Sequence, residues 1–577
     1  MSPVALFYRI FSIALFGAIT GAVASLASIL FVEVVVSLNE WFMVDVVDRQ
    51  KLGGEPWFAV FSILVPAAGG LVVGLICMTN REKRPLNLAD TIQSTQTLSS
   101  DAPLKSGMAT ALASMVAIGS GASVGQYGPL AHMGATLGVS ISRFTRKTGF
   151  TGTMGIGCGA AAAIATIFNA PIAGLIFAHE VILRHYSLKV FAPVTVSAVT
   201  GYLFANYVIE LPPLFRIEFL TPIQSPEFLV FIAIGIVGAG VAALFMKLVL
   251  MAGSVAAKIS IPGYLKPALA GTVLGMVSIW IPEVLGVGGS VLRNSILSAY
   301  TDFELFYILV AKMAMTALCL GFGFAGGIFS PALLVGVLFG ALVGHLVPLF
   351  MIEHFSSIAV YAICGMVAVT SPVIGAPLTT ILIVFELTRN YELTIAAMIS
   401  VVFANLVGYR LMGRSIFDIQ LKKRGFDLSL GRDQAVLDHR KISDFLSSDY
   451  VTAGPETTLE TLLERMHEVG KSEGYIIDDN DLYLGTITTL QLTGYGSGAN
   501  SMSDPCGRYQ EKESIILSTD TTIWAAMEKI QNFVGESVPV VSSDGRGKLM
   551  GVVYEASIIQ AYMETLYNIR REEYGAD

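Results

Sequence analysis

The chain has 577 residues, a mean hydropathy of +0.67, 54% hydrophobic residues and only 14% charged ones, against roughly 25% charged in soluble domains. That excludes a soluble globule and leaves a polytopic membrane protein, with 57 glycines available for close helix contacts. A pI near 5.5 gives nucleic-acid binding no support, and five cysteines with no CxxC argue against a disulfide framework or a zinc site.

Arg9 precedes an apolar run over 10–38, too long for a signal-peptide core and read as a retained span. A second span covers 57–79. The basic cluster Arg81, Lys83 and Arg84 that follows puts this loop, and with it the N-terminus, in the cytoplasm. Further apolar segments are expected at 107–118, 128–142, 150–166, 171–184, 190–208 and 226–253, then at 264–281, 304–321, 329–350, 356–370, 377–389 and 392–412. Several are shorter than the roughly 20 residues of a full crossing, so the bundle needs tilted, broken and re-entrant helices.

Two segments open on glycine-rich breaks. In GSGASVGQYGPLAHMG, from Gly119 to Gly134, Gly125 and Gly128 free the backbone and Pro129 suits a first helical turn. GFGFAGGIFSPALLVG, from Gly321 to Gly336, repeats the device with Pro331. A helix N-terminus at membrane depth must meet a cavity or a ligand, and it carries partial positive charge. The expected ligand is an anion, and paired breaks point to a channel or transporter site.

The stretch Gly155–Val181 aligns without a gap on Tyr361–Leu387 at an offset of 206, pairing Cys158 with Cys364, Pro171 with Pro377 and Glu180 with Glu386. The breaks lie at an offset of 202, from Pro129 to Pro331. Each half thus contains break, helix, Ala-Pro and glutamate in order. The repeat leaves parallel and inverted arrangements both open.

From about Asp427 to Asp577 the chain is polar, with no span left. Two copies of one pattern are expected there: helix Thr458–Val469 with strands Gly474–Ile477 and Leu482–Thr488, then helix Thr522–Val534 with strands Ser537–Val541 and Leu549–Val553. Asp478 to Asp481 and Ser543 to Gly545 supply the hairpin turns.

Together these residues resemble the CLC family of anion channels and proton-coupled anion antiporters, followed by a pair of CBS domains, over nearly the whole chain. The likeness rests on GSGASVGQYGP, GGIFSP, FNAPIAGLIFAHEV and VFELTRNYELT. It implies an all-α polytopic membrane protein, a CLC-type inverted repeat with broken and re-entrant helices, plus a C-terminal α/β tandem CBS module. The implied domains are a pore domain over 1–420 in repeats of about 1–212 and 213–420, a linker over 421–440, a first CBS domain over 441–498, a linker over 499–509 and a second CBS domain over 510–577. It also implies a homodimer in the cell membrane with a cytoplasmic tail, and chloride or another monovalent anion as substrate. No hydrolytic or redox constellation is present, so no enzyme activity and no cofactor are expected.

The departures from the family pattern carry the functional reading. Where the family has a gating glutamate in its first break, this chain has Tyr127, and where antiporters have an inner proton-carrying glutamate, it has Val181. A tyrosine, with a reference pKa near 10, relays protons poorly at neutral pH, and valine relays none. The serine that usually meets the anion falls on Leu86, and the usual inner tyrosine on Phe417. The expected anion contacts are therefore Gln126, Tyr127, Gly128, Gly327, Ile328, Phe329, Leu86 and Phe417, mostly through backbone amides, with Tyr127 as the gate. Glu180 and Glu386 read as partners of helix ends or of a dimer interface, and His179 as a packed histidine that could also replace a lost proton group. Lys312 reads as snorkelling or paired, and Lys422, Lys423 and Arg424 as the flank of the last helix.

In the tail, the family's nucleotide-holding Thr and Asp fall on Thr488 and Gln491 in the first copy and on Tyr554 and Ser557 in the second. With neither Asp present, a stabilising module is favoured over adenine-nucleotide binding. Three functions follow: a passive anion channel uncoupled from protons, an antiporter with a non-standard proton route, and a non-conducting regulatory homologue.

Overall fold

The computed structural model describes residues 3–46, 49, 55–80, 82–97, 103–145, 151–210, 223, 225–349, 356–491, 502–511, 515–531, 533 and 535–574. Arg81, the repeat boundary at 212–213, Val534 and the start of the 499–509 linker lie outside them. The chain divides into two compact units, Met1–Arg424 and Gly425–Asp577.

The regular elements among the described residues of the first unit are helices. Its first half holds α1 (Pro3–Trp41), α2 (Pro56–Met78), α3 (Leu88–Gln96), α4 (Leu104–Gly119), α5 (Tyr127–Phe144), α6 (Gly152–Phe168), α7 (Pro171–Phe177) and α8 (Leu188–Leu203). The second half holds α9 (Glu227–Lys258), α10 (Lys266–Val277), α11 (Gly289–Ile296), α12 (Asp302–Gly321), α13 (Phe329–Leu346), α14 (Ile358–Ile374), α15 (Pro377–Thr388), α16 (Tyr391–Met412) and α17 (Ile416–Lys423). Among the described residues, six helical stretches are long and apolar enough to cross a membrane, and five more are apolar but shorter. Every expected apolar segment is a helix with ends shifted by a few residues; α3, α11 and α17 were not expected. These three are short and polar enough that hydropathy does not single them out.

Glycine decides where the helices meet. A Cβ on Gly134 would lie 2.3 Å from the Gly159 carbonyl oxygen, and one on Gly159 would lie 1.9 Å from that of Gly134. The second repeat does the same with Gly336 and Gly365, at 2.6 and 2.5 Å. Without side chains between them, α5 packs on α6 and α13 on α14 backbone to backbone, which is how helices gain dispersion contact in lipid.

The second unit begins with α18 (Arg432–His439), inside the stretch expected to be linker. Two three-stranded sheets follow. In the first, β1 (Val451–Ala453) lies parallel to β2 (Glu473–Ile477), which pairs antiparallel with β3 (Tyr483–Thr488), Gly474 standing opposite Val451 and Ile487. In the second, β4 (Leu517–Ser518) lies parallel to β5 (Ser537–Val541), which pairs antiparallel with β6 (Leu549–Tyr554). Helices α19 (Leu459–Val469), α20 (Ile523–Ile530) and α21 (Glu555–Tyr574) complete it. The copies exchange leading segments. Leu437 and Ile442 enter the core of the second copy beside Leu517 and Val540, whereas Cys506 enters that of the first beside Leu459 and Ile487. All five cysteines are unpaired and buried.

Candidate functional site

The two breaks meet. Gly125 donates its N–H to the Gly327 carbonyl at 2.7 Å, and Gly327 returns the bond to Gly125 at 2.7 Å, as a one-rung antiparallel ladder. A Cβ on Gly125 would approach the Gly327 oxygen and Pro331 Cδ to 2.8 Å, so only glycine fits this crossing. Immediately beyond it α5 starts at Tyr127 and α13 at Phe329, neither with a side-chain cap. The first amides of a helix have no intrahelical acceptor, so both N-termini present open N–H groups and their dipoles to one place.

A cavity of about 430 Å³ lies there, lined by Gly128, Gly327, Ile328, Phe329, Leu86 and Phe417 among others. Six of the eight expected anion contacts therefore come together, although 331 residues of sequence separate Leu86 from Phe417. The lining is apolar apart from backbone and a few polar groups, Asn87, Gln420 and Lys423 among them. Gln126 and Tyr127 are not on it. Tyr127 is 2% exposed; its ring packs 4.3 Å from Phe168 and 5.4 Å from Phe329, and Phe177 stacks on Phe329 at 6.2 Å. It belongs to an aromatic cluster beside the helix ends, where the ring gains from burial against other rings.

Three elements shape the cavity wall. Asn87 caps α3 through a reciprocal box with Asp90 and donates to Gln420 of α17 at 3.1 Å. Thr110 of α4 accepts the Leu86 N–H at 3.2 Å, holding the 85–88 turn against the cavity. Asp90 binds Arg84 at 2.7 Å and Arg424 at 2.8 Å. Desolvation pushes the Asp90 carboxyl up, but the hydrogen bond from Arg84 and the charges of Arg84 and Arg424 outweigh it and leave the pKa below the usual carboxylate range. Lys423, from the basic run read as a helix flank, is on the lining and supplies local positive charge there. Its position one turn or two beyond Phe417 on α17 was the available signal.

The two repeat glutamates are helix partners. Glu180 accepts the N–H groups of Leu378 and Thr379 at 2.9 and 2.8 Å and the Thr379 hydroxyl at 2.7 Å; Glu386 accepts those of Ile172 and Ala173 at 3.0 and 2.7 Å. Each repeat thus caps the α7 or α15 start of the other, a reciprocity that a two-fold relation between opposed repeats requires. Val181, at the lost inner proton position, is buried at 1% exposure. His179 donates its Nδ1–H to the His185 carbonyl at 2.8 Å, stacks on Tyr186 at 5.3 Å, and lines a separate cavity of about 540 Å³ with Glu180, Arg184 and Asp418.

Of the two readings of Lys312, pairing holds, with carbonyls as the partners, and snorkelling does not. Lys312 is fully buried on α12 and donates to the carbonyls of Val284 at 2.9 Å, Leu285 at 3.4 Å and Gly286 at 2.8 Å. Gly286 in turn donates to Gly121 at 2.9 Å, so the buried cation ties this turn to the first break.

In the second unit, Gln491 turns its side chain back on Thr488, accepting from the Thr488 N–H at 2.8 Å, so the two expected nucleotide contacts satisfy each other. Tyr554 donates its hydroxyl to the Asp449 carbonyl at 2.6 Å and accepts from Lys471 at 2.8 Å.

The sequence pattern of the voltage-gated chloride channel family matches residues 69–409, and that of the CBS domain matches 442–496 and 507–564. A chloride channel protein described as ClcB-like from Ralstonia nicotianae is 28% identical over 403 residues, 69% of this chain and 94% of that one. The voltage-gated ClC-type chloride channel ClcB of Escherichia coli is 27% identical over 370 residues, 63% of this chain and 87% of that one. Among solved structures, a eukaryotic CLC transporter aligns over 96% of this chain and 98% of its own with a TM-score of 0.62 at 19% identity. A slow cyanobacterial Cl−/H+ antiporter aligns over 72% of this chain and 97% of its own, with a TM-score of 0.61 at 21% identity. These two carry the fold alone. The family pattern spans more than half of the sequence and encloses both breaks, so the chain belongs to the CLC family of voltage-gated chloride channels and transporters, as an integral membrane protein bearing tandem CBS domains.

Proposed function

We propose that the protein is a passive chloride channel, uncoupled from protons. The observation that carries this reading is the meeting of two uncapped helix N-termini at one cavity whose lining contains no carboxylate, together with the buried Val181 at the inner proton position. A desolvated monovalent anion would be held by the first amides of α5 and α13, with Leu86 and Phe417 as apolar walls. The weak side-chain contribution favours loose selectivity among chloride, nitrate and similar ions.

The test is flux in liposomes containing purified protein. Chloride should run down its gradient with no proton movement, and uphill proton transport at fixed stoichiometry would overturn the reading. With Tyr127 as the gate, Tyr127→Ala should raise flux, because it removes a member of the ring cluster it forms with Phe168 and Phe329; unchanged flux would remove Tyr127 from the gate.

A second reading, proton coupling through His179, is favoured by one observation: this imidazole borders a cavity of its own beside Glu180. His179→Ala should then abolish proton flux while anion flux persists. On the channel reading it changes neither. We further read the protein as a homodimer with its N-terminus and CBS tail in the cytoplasm, and the CBS pair as a stabilising module without bound nucleotide. The engaged Thr488–Gln491 and Tyr554–Asp449 pairs support the last point, and calorimetric titration with ATP, expected to give no heat of binding, checks it.

A further inference from the structure

A cavity of about 540 Å³ that the anion pathway does not use lies in the first unit, within the usual range for small-ligand sites. Its lining carries opposite charges at two places that no ion pair joins. At one, Arg49 is 4% exposed, donates to the Met43 carbonyl at 2.8 Å and to Ser62 and Ser278 at 3.0 and 3.3 Å, and lies over the Phe58 ring. Among the described residues no carboxylate pairs with it. At the other, Glu283 is 6% exposed and, its own backbone N–H apart, has no hydrogen-bond partner or counter-charge among the described residues. Glu304, Tyr300 and Tyr307 stand near it.

A buried guanidinium and a buried carboxylate that do not reach each other leave both charges uncompensated by the described residues, an expensive arrangement unless something neutralises both. Desolvation already pushes the Glu283 carboxyl above the usual carboxylate range, and burial pulls Arg49 down to about 10. A zwitterion satisfies both ends at once, its anionic group on the Arg49 fork and its ammonium beside Glu283 and the tyrosine rings. The surroundings say which zwitterion. Trp280, 77% exposed, is on the lining, and Trp57 and Phe303, 50% and 75% exposed, directly precede the lining residues Phe58 and Glu304; all three stand at the ends of apolar helices, as aromatic side chains do at the level of lipid headgroups.

We propose that this cavity holds the headgroup of an amine-bearing zwitterionic phospholipid, with the phosphate on Arg49 and the ammonium at Glu283. The primary ammonium can donate to the carboxylate. A choline headgroup cannot, and an anionic glycerol headgroup leaves Glu283 bare.

The full-length protein in detergent, titrated with phosphatidylethanolamine, phosphatidylcholine or phosphatidylglycerol, reports retained lipid by native mass spectrometry. One phosphatidylethanolamine per subunit should be retained about tenfold more strongly than either other lipid, the order expected of one charge-assisted hydrogen bond. Glu283→Gln should remove most of that preference, and Tyr300→Phe, a milder change, should reduce it while thermal unfolding stays within a few degrees. Equal retention of the three lipids, or an unchanged preference in both variants, overturns the proposal. Soluble glycerophosphoethanolamine provides the remaining arm: if it competes as well as the whole lipid, the ligand is a free zwitterion and the lipid assignment falls.

Discussion

The two halves of the membrane unit perform the same backbone manoeuvre with opposite polar chemistry. Thr110 and Lys312 stand fifteen residues before Gly125 and Gly327 respectively, at matching places on α4 and α12. In the first half the Thr110 hydroxyl accepts an amide from the 85–88 turn, which lines the cavity at the two breaks. In the second half the Lys312 ammonium gathers three carbonyls of the 284–286 turn, and none of those residues is on the cavity wall. Duplication therefore conserves the position of the support and leaves its sign free. One turn stays available to the pathway, and the other is sealed by a buried cation.

The largest effect should come from breaking the sealed side. Lys312→Met leaves three carbonyls without their shared donor and should cost about 3 kcal/mol or more, the range for a broken buried charged interaction. Thr110→Val, the matching change, should cost about 1 kcal/mol, the range for a neutral hydrogen bond. Thermal unfolding of both variants in detergent checks the contrast, and equal shifts would show that the two supports are equivalent.

Next come the helix contacts that hold the two breaks in register. Gly159→Ala drives a methyl group into the Gly134 carbonyl, which would lie 1.9 Å away, whereas Gly365→Ala has 2.5 Å to the Gly336 oxygen. Overpacking of this kind costs about 1–3 kcal/mol, with the larger share expected at Gly159. Folded yield after purification ranks them, and the reverse order would mean that α13 and α14 are the stiffer pair.

The reciprocal caps should matter less and nearly equally. Glu180→Gln and Glu386→Gln each weaken a charged cap by about 1 kcal/mol, and Glu180 should lose slightly more because it also holds the Thr379 hydroxyl. Anion flux should survive both, and its loss in Glu180→Gln alone would restore that residue to the transport pathway.

The smallest effect concerns pH. Because the folded Asp90 pKa lies below its ordinary value, the Arg84–Asp90–Arg424 cluster stabilises the fold fully above the ordinary carboxylate range and loses that contribution as pH falls through the depressed value. Stability should therefore be flat from neutral to mildly acidic pH in this respect, and Asp90→Asn should reduce only the loss seen in strong acid. A variant whose unfolding midpoint changed with pH around neutrality would assign the titration elsewhere.

Hydropathy, glycine spacing and the 202- and 206-residue offsets were enough to mark the apolar helices, the duplication, both breaks and the tail, since burial in lipid and close backbone contact leave few alternatives for such residues, while the short polar α3, α11 and α17 escaped them. The glutamate offset also foretold a structural pairing. Tertiary structure alone decided which atoms meet. Leu86 and Phe417 come to one cavity from opposite ends of the membrane unit, Tyr127 turns into an aromatic cluster, and Lys312 is buried because three carbonyls converge on it. Such convergences depend on helix directions set by long-range packing, and no local pattern of residues encodes them.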